Sequence, residues 1–141
     1  MASPILAPVV ALVAWSIVVL LWMVMTRIPA LRAAGIDLNT ARGGGPGALD
    51  GVLPDATQWK AHNYIHLMEQ PTLFYAVCLT LALLDAGAGS SLLLAWTYVG
   101  LRVLHSLVQG TSNIIRYRFV LFALSSIALL ALTVNAALAV F

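Results

Sequence analysis

Charged residues are scarce in this chain. Asp, Glu, Lys and Arg make up 9% of its 141 residues, whereas hydrophobic residues make up 62%. About a quarter of the residues in a soluble domain are charged, so this composition indicates an integral membrane protein instead. The net charge is only +2, and the basic residues are scattered rather than clustered, which gives no indication of a nucleic acid partner.

Cysteine is almost absent as well. Cys78 is the only one, so the chain forms no internal disulfide and contains no Cys-x-x-Cys or zinc pattern. A glycine-rich run occupies residues 43–47, but the GxxxxGK[ST] pattern of a phosphate-binding loop is missing. The residues around that run, 33–55, are therefore interpreted as a flexible connector.

Most of the remaining sequence consists of long apolar runs. They predict four membrane spans, at about 4–25, 57–84, 91–111 and 118–141. The runs are continuous rather than alternating, which favours helices over membrane strands. We expect an all-α membrane protein in which residues 1–141 form a single four-transmembrane-helix bundle.

The basic residues predict the orientation of the bundle. Loops one and three and their flanks contain six of them: Arg27, Arg32, Arg42, Lys60, Arg116 and Arg118. The termini and loop two contain none. The positive-inside rule therefore places loops one and three in the cytoplasm and both termini outside, in the inner or plasma membrane if the source is bacterial.

The most polar stretch opens span two and reads Lys60-Ala-His-Asn-Tyr-Ile-His-Leu-Met-Glu-Gln-Pro71. In a helix, His62, His66 and Glu69 fall at i, i+4 and i+7, on one face. Pro71 predicts a bend beside that face. Ionisable groups inside membrane spans are costly and are functional candidates for that reason.

Span three carries a polar face of its own, with Arg102, His105 and Gln109 at i, i+3 and i+7. An arginine at this depth needs a partner. Glu69 is the only acidic residue inside an apolar span, so we expect a Glu69–Arg102 ion pair, within one chain or between chains. That pair would be either structural or part of a ligand site.

The polar residues of spans two and three, taken together with Arg27, Arg116 and Arg118, are mainly cationic. Arginine binds carboxylates bidentately, and a single Glu can hold an amino group, so the set suits a soluble ligand with several carboxylates and one ammonium. A lipid-side opening would admit an apolar second substrate. Two alternatives stay open: a polar network that only seals the bundle, and a metal site formed by His62, His66 and Glu69 with His105 as a fourth ligand.

Two motifs resemble those of the MAPEG family (membrane-associated proteins in eicosanoid and glutathione metabolism). Span two of that family carries Arg-x3-Asn-x2-Glu followed by Pro and an aromatic residue. The corresponding run here is His62-x3-His66-x2-Glu69, then Pro71 and Phe74. The Glu is kept, and both other positions are His.

The second motif lies in span three and extends to the start of span four. One branch of the family has Arg-Val-x-His there, with a further Arg sixteen residues after the first. Arg102-Val103-Leu104-His105 and Arg118 reproduce this spacing, and Gln109 replaces an aromatic residue between them. The resemblance covers essentially the whole chain.

The resemblance implies a homotrimer that binds glutathione between adjacent subunits near the cytoplasm. It also implies that Arg118 holds the glutathione sulfur as a thiolate and that Arg27 contacts a glutathione carboxylate. The other candidate glutathione-binding residues are His62, His66, Glu69, Arg102, His105, Gln109 and Arg116.

The implied function is that of a membrane-bound glutathione transferase or peroxidase acting on apolar electrophiles or lipid hydroperoxides. Two alternatives belong to other classes. One is a non-catalytic membrane binding or scaffold protein of the same fold, in which Arg116 and Arg118 are only topology signals. The other is the metal-binding membrane protein described above.

Overall fold

A computed structural model describes residues 2–45 and 47–141 of the protein. Over these ranges the regular structure is entirely helical. The helices are α1 (Leu6–Ala33), α2 (Asp55–Leu67), α3 (Gln70–Leu83), α4 (Ser90–Gly110) and α5 (Ile115–Val140). Met1 lies outside the described residues. So does Pro46, which belongs to the predicted glycine-rich connector.

Three helices, α1, α4 and α5, are long and apolar enough to cross a membrane. The second predicted span is formed by α2 and α3, of 13 and 14 residues, which follow each other with a two-residue break. The predicted fold class, an all-α four-helix membrane bundle, is confirmed. Helix α1 continues to Ala33, well past the end of its predicted span at residue 25.

The break between α2 and α3 lies at Met68 and Glu69, just before Pro71. Proline has no N–H to donate to the carbonyl of Leu67, and its ring clashes with that carbonyl in a continuous helix. The backbone at Glu69 departs from helical angles, with φ −90° and ψ −98°, and Pro71 sits in the first turn of α3, where proline is tolerated. The predicted bend is thus a complete interruption.

Helix α4 is the centre of the bundle, packed against α5, α1 and α2. One face of it is buried and largely polar, and includes Tyr98, Arg102, His105, Ser106 and Gln109. Its exposed residues include large apolar side chains such as Leu93 and Leu104. Polar groups inside and apolar groups outside are what a lipid environment favours.

Side-chain hydrogen bonds join the helices inside this bundle. The Asn63 amide of α2 donates to the Ser106 carbonyl of α4 at 3.0 Å. Gln70 of α3 donates to Ser126 of α5 at 2.8 Å and accepts from the Tyr98 hydroxyl at 3.3 Å. Such bonds contribute about 0.6 kcal/mol each on average between membrane helices.

Trp22 of α1 packs tightly against the end of α4. A Cβ added at Gly110 would lie 2.6 Å from Cζ3 of the Trp22 ring, closer than carbon atoms approach. The Lys60 ammonium lies 5.2 Å from the centroid of the same ring, so the ring is in contact with α2 as well. Gly110 therefore allows α1 and α4 to approach closely.

We expect Gly110→Ala to destabilise the bundle because overpacking costs about 1–3 kcal/mol. The midpoint of thermal unfolding in detergent should fall by roughly 3–9 °C. Gly100→Ala is the matched control, since it lies in the same helix and a Cβ there meets no atom within 4 Å. That control should leave the midpoint unchanged or raise it, because alanine favours helix more than glycine does. Equal midpoints for the two variants would contradict the packing described here.

Candidate functional site

Arg102 is the most deeply buried charged residue of the site, with no exposed surface. Its Nη2 donates to Nδ1 of His66 at 2.9 Å and to the backbone oxygen of His66 at 3.0 Å. Within the described ranges, Nε and Nη1 have no hydrogen-bond partner. The guanidinium of Arg102 therefore donates to neutral acceptors, and its Nε and Nη1 groups remain available as donors.

The break after α2 explains why the His66 carbonyl is available. The last four carbonyls of a helix have no partner within it, and α2 ends at Leu67. The end of a helix also carries a partial negative charge, which favours a nearby cation. Pro71 ends the helix, and this exposes the carbonyl that accepts from Arg102.

The predicted Glu69–Arg102 ion pair is wrong within the single chain. Glu69 is exposed at the helix break, and no carboxylate lies within ion-pair distance of Arg102 among the described residues. A histidine lone pair and a helix-end carbonyl, rather than an acidic side chain, accept the hydrogen bonds of Arg102. Whether the two residues pair between chains stays a prediction.

A cavity of about 400 Å³, here called the Arg118 cavity, lies between α2, α4 and α5. It is lined by His66, His105, Ile115, Arg118, Phe119 and Phe122. The rings of His66 and His105 lie 4.8 Å apart, and Phe122 meets His66 edge-on at 5.6 Å. Arg118 and Phe122 are four residues apart on α5, so they share a face.

Arg118 is oriented by Asn113, a residue that sequence reasoning missed. Its Nη1 donates to Asn113 Oδ1 at 2.7 Å. Asn113 has a φ of 52°, in the left-handed region that asparagine tolerates better than most residues. The Arg118 Nε is buried and has no partner in the described part of the chain. One edge of the guanidinium is thus held, and another donor remains unused.

A second cavity, here called the Arg27 cavity, lies between α1, α2 and the glycine-rich connector. Its volume is about 260 Å³, and its lining includes Arg27, Gln58 and His62. Asp50 of the connector accepts from Gln58 Nε2 at 2.8 Å, and its Oδ1 lies 3.8 Å from His62 Nε2. The connector is therefore tied to α2 by polar contacts.

The predicted set does not form a single cluster. His62 and His66 were expected on one face, but they line different cavities because α2 has α1 and the connector on one side and α4 and α5 on the other. Gln109 is buried near the end of α4, whereas Glu69 and Arg116 are exposed.

No three His, Cys, Asp or Glu side chains of the described ranges converge on a possible metal position, which counts against the metal alternative.

Two further residues were missed by sequence reasoning. Phe122 could have been found from its position four residues after Arg118. Asp50 lies in a connector with no periodicity, where nothing predicts a contact. Asn113 belongs to a short polar turn, Thr-Ser-Asn, which is an ordinary signal for a helix connection.

The Arg118 cavity can bind an anion. Of the described residues that line it, none is acidic, and the arginine supplies a permanent positive charge. The other lining residues are two histidines, His66 and His105, and three apolar residues, Ile115, Phe119 and Phe122. The arrangement therefore suits an anionic reacting group next to an apolar molecule.

Comparison with known proteins gives one match. A sequence model of the MAPEG family matches residues 5–138, which include α1 to α4 and nearly all of α5. Comparisons with curated proteins and with solved structures gave no match.

His66→Ala should destabilise the bundle because it removes one of the two acceptors of a buried guanidinium. Loss of a hydrogen bond to a charged group costs about 1.5–3 kcal/mol. His62→Ala, one turn earlier on α2, is the matched control. Among the described residues, the charged partner of His62 is the exposed carboxylate of Asp50, so loss of this contact should cost less than about 1 kcal/mol. Thermal unfolding of both variants in detergent measures the difference, and a control as unstable as His66→Ala would refute the assignment.

Proposed function

The chain belongs to the MAPEG family, and from this premise we propose that it is a membrane-bound glutathione transferase or peroxidase. Members of this family generally use glutathione. We propose apolar electrophiles or lipid hydroperoxides as the second substrate and detoxification as the role. The observation that carries the proposal is the Arg118 cavity, in which an arginine donor lies next to the apolar side chains of Ile115, Phe119 and Phe122.

Arg118 is proposed as the catalytic residue. A cation beside a thiol favours the thiolate, which is the reactive form. Glutathione would supply a thiolate that forms a carbon–sulfur bond with an electrophile or reduces a hydroperoxide to an alcohol. Asn113 would keep the guanidinium aimed at the sulfur, and Phe119 with Phe122 would place the apolar substrate against it.

The remaining candidates would bind the peptide part of glutathione. Arg27, His62 and Arg116 suit its carboxylates, and Glu69 suits its amino group. The buried residues Arg102, His105 and Gln109 would form the inner wall of the glutathione site. We propose a homotrimer with glutathione bound between adjacent subunits, as the family resemblance implies.

The protein is an integral membrane protein. We propose that loops one and three face the cytoplasm and that both termini lie outside. Six Lys or Arg residues in these loops and their flanks support this orientation. The site would then take glutathione from the cytoplasm and the apolar substrate from the lipid.

A non-catalytic binding protein is the second candidate. It is favoured by one observation: histidine occupies both positions where the family motif has Arg and Asn. The cavity around Arg118 argues for retained chemistry, since a protein that only kept the fold has no need of a held arginine with a free buried donor.

Glutathione should raise the midpoint of thermal unfolding of the detergent-solubilised protein. A ligand that binds only the folded state at 100 times its Kd stabilises it by about 2.7 kcal/mol, which corresponds to roughly 8 °C. The rise should be lost in Arg118→Ala and reduced in Glu69→Gln. Arg32→Ala is the control, because Arg32 is exposed at the end of α1, outside both cavities. No rise in the unmodified protein at millimolar glutathione would refute the proposal.

The orientation can be tested with single cysteines. Cys78 has no exposed surface, so the unmodified protein should not react with a membrane-impermeant maleimide. Ala88→Cys in loop two should be labelled on intact cells, whereas Ala41→Cys in loop one should be labelled only after permeabilisation. Both residues are exposed in the structure. The reverse pattern would contradict the proposed orientation.

A further inference from the structure

His66 uses one ring nitrogen for Arg102, and it is also one of the residues that line the Arg118 cavity. A guanidinium only donates hydrogen bonds, so the Nδ1 that it contacts at 2.9 Å must accept. A neutral imidazole that accepts at Nδ1 carries its proton on Nε2. The side-chain hydrogen bonds of His66 in the described structure involve Nδ1 and the backbone oxygen, so Nε2–H is available to a ligand in the cavity that the residue lines.

The charges around His66 keep the ring neutral. A second proton would have to sit on Nδ1, facing the cationic guanidinium of Arg102 at hydrogen-bond distance. His105 on α4 and Arg118 on α5 also lie near the ring, and Glu69, the acidic neighbour among the described residues, is exposed at the helix break. His66 is therefore a neutral donor whose proton position is selected by Arg102.

We propose that His66 donates Nε2–H to the same sulfur anion that Arg118 holds, and that Arg102 is a positioning residue that selects this tautomer. This inference rests on the proposed function and adds a second donor to its site. His66 and Arg118 line one cavity, from α2 and α5. A hydrogen bond to an anion is stronger than one between neutral groups, so the two donors would act together on the thiolate.

The neighbouring rings fix the direction of this donor. His105 lies against one side of the His66 ring, with the centroids 4.8 Å apart and the planes tilted by 32°. Phe122 meets it edge-on. With Nδ1 held by Arg102, the ring has little freedom to turn, and Nε2–H keeps one direction.

Two amide replacements separate the two roles of His66. The side chain of Asn overlaps the Nδ1 half of a histidine ring, so His66→Asn keeps an acceptor for Arg102 and loses the donor at Nε2. The side chain of Gln reaches the Nε2 position, so His66→Gln keeps a donor there and loses the acceptor at Nδ1. For each detergent-solubilised variant, the ultraviolet absorbance of bound glutathione thiolate is titrated with pH, and thermal unfolding is measured without glutathione.

The two variants are expected to change different properties, the pH midpoint of thiolate formation in one and thermal stability in the other. His66→Asn should raise the pH midpoint of thiolate formation by about one unit, the equivalent of one hydrogen bond to an anion, with thermal stability close to that of the unmodified protein. His66→Gln should keep a midpoint close to that of the unmodified protein and lose thermal stability. An unchanged thiolate midpoint in His66→Asn overturns the inference, and so does a midpoint that follows thermal stability in both variants.

Failure of the inference and failure of the proposed function are distinguishable. If the unmodified protein forms a thiolate band and His66→Asn leaves its midpoint in place, only the inference is overturned. If the unmodified protein forms no band, both are overturned.

A measurement without glutathione tests the tautomer itself. Nitrogen-15 NMR of labelled histidine should show His66 as the neutral Nε2–H form from pH 5 to 8. An Nδ1–H form, or a second protonation near pH 6, overturns the proposed role of Arg102 whatever glutathione does.

Discussion

The arrangement of this bundle depends on the guanidinium of Arg102, which has no exposed surface. Arg102 carries a permanent charge inside an apolar protein, so it must find acceptors there. It finds them at the end of α2, where the helix break leaves a carbonyl free and where the helix dipole favours a cation. Pro71 causes that break. A proline, an orphan carbonyl and a buried arginine therefore depend on one another.

The hydrogen bond between Arg102 and His66 also affects the Arg118 cavity, which His66 lines. By taking the lone pair of His66 Nδ1, Arg102 decides which ring nitrogen carries the proton. Because α5 supplies Arg118 and apolar rings to the cavity, the proposed His66 donor would act together with that arginine, and none of the described lining residues is acidic. In the proposed site, structural stabilisation of the arginine and preparation for an anion would thus be two results of one interaction.

The sequence predicts the fold well because continuous apolar runs and a proline act locally. Four spans, a bend beside Glu69 and a polar face on α4 all follow from local sequence features. The partner of Arg102 does not follow, since a carbonyl becomes an acceptor only where a helix ends in three dimensions. Nor does the separation of His62 from His66, because it depends on which helices lie on each side of α2. Asn113 is missed because a left-handed turn residue has no periodic signal.

The two histidines of span two differ in what they change relative to the family motif. At position 62, histidine replaces a bidentate, permanent cation with a ring that sits beside the carboxylate of Asp50, so carboxylate binding there is weakened. At position 66, histidine replaces an amide with a ring that can accept from Arg102 on one side and donate on the other. An amide bonded to Arg102 through its oxygen would not reach the cavity as far. Under the proposed function, the second substitution would add a donor near Arg118, so that sulfur binding would be better preserved than binding of the glutathione peptide.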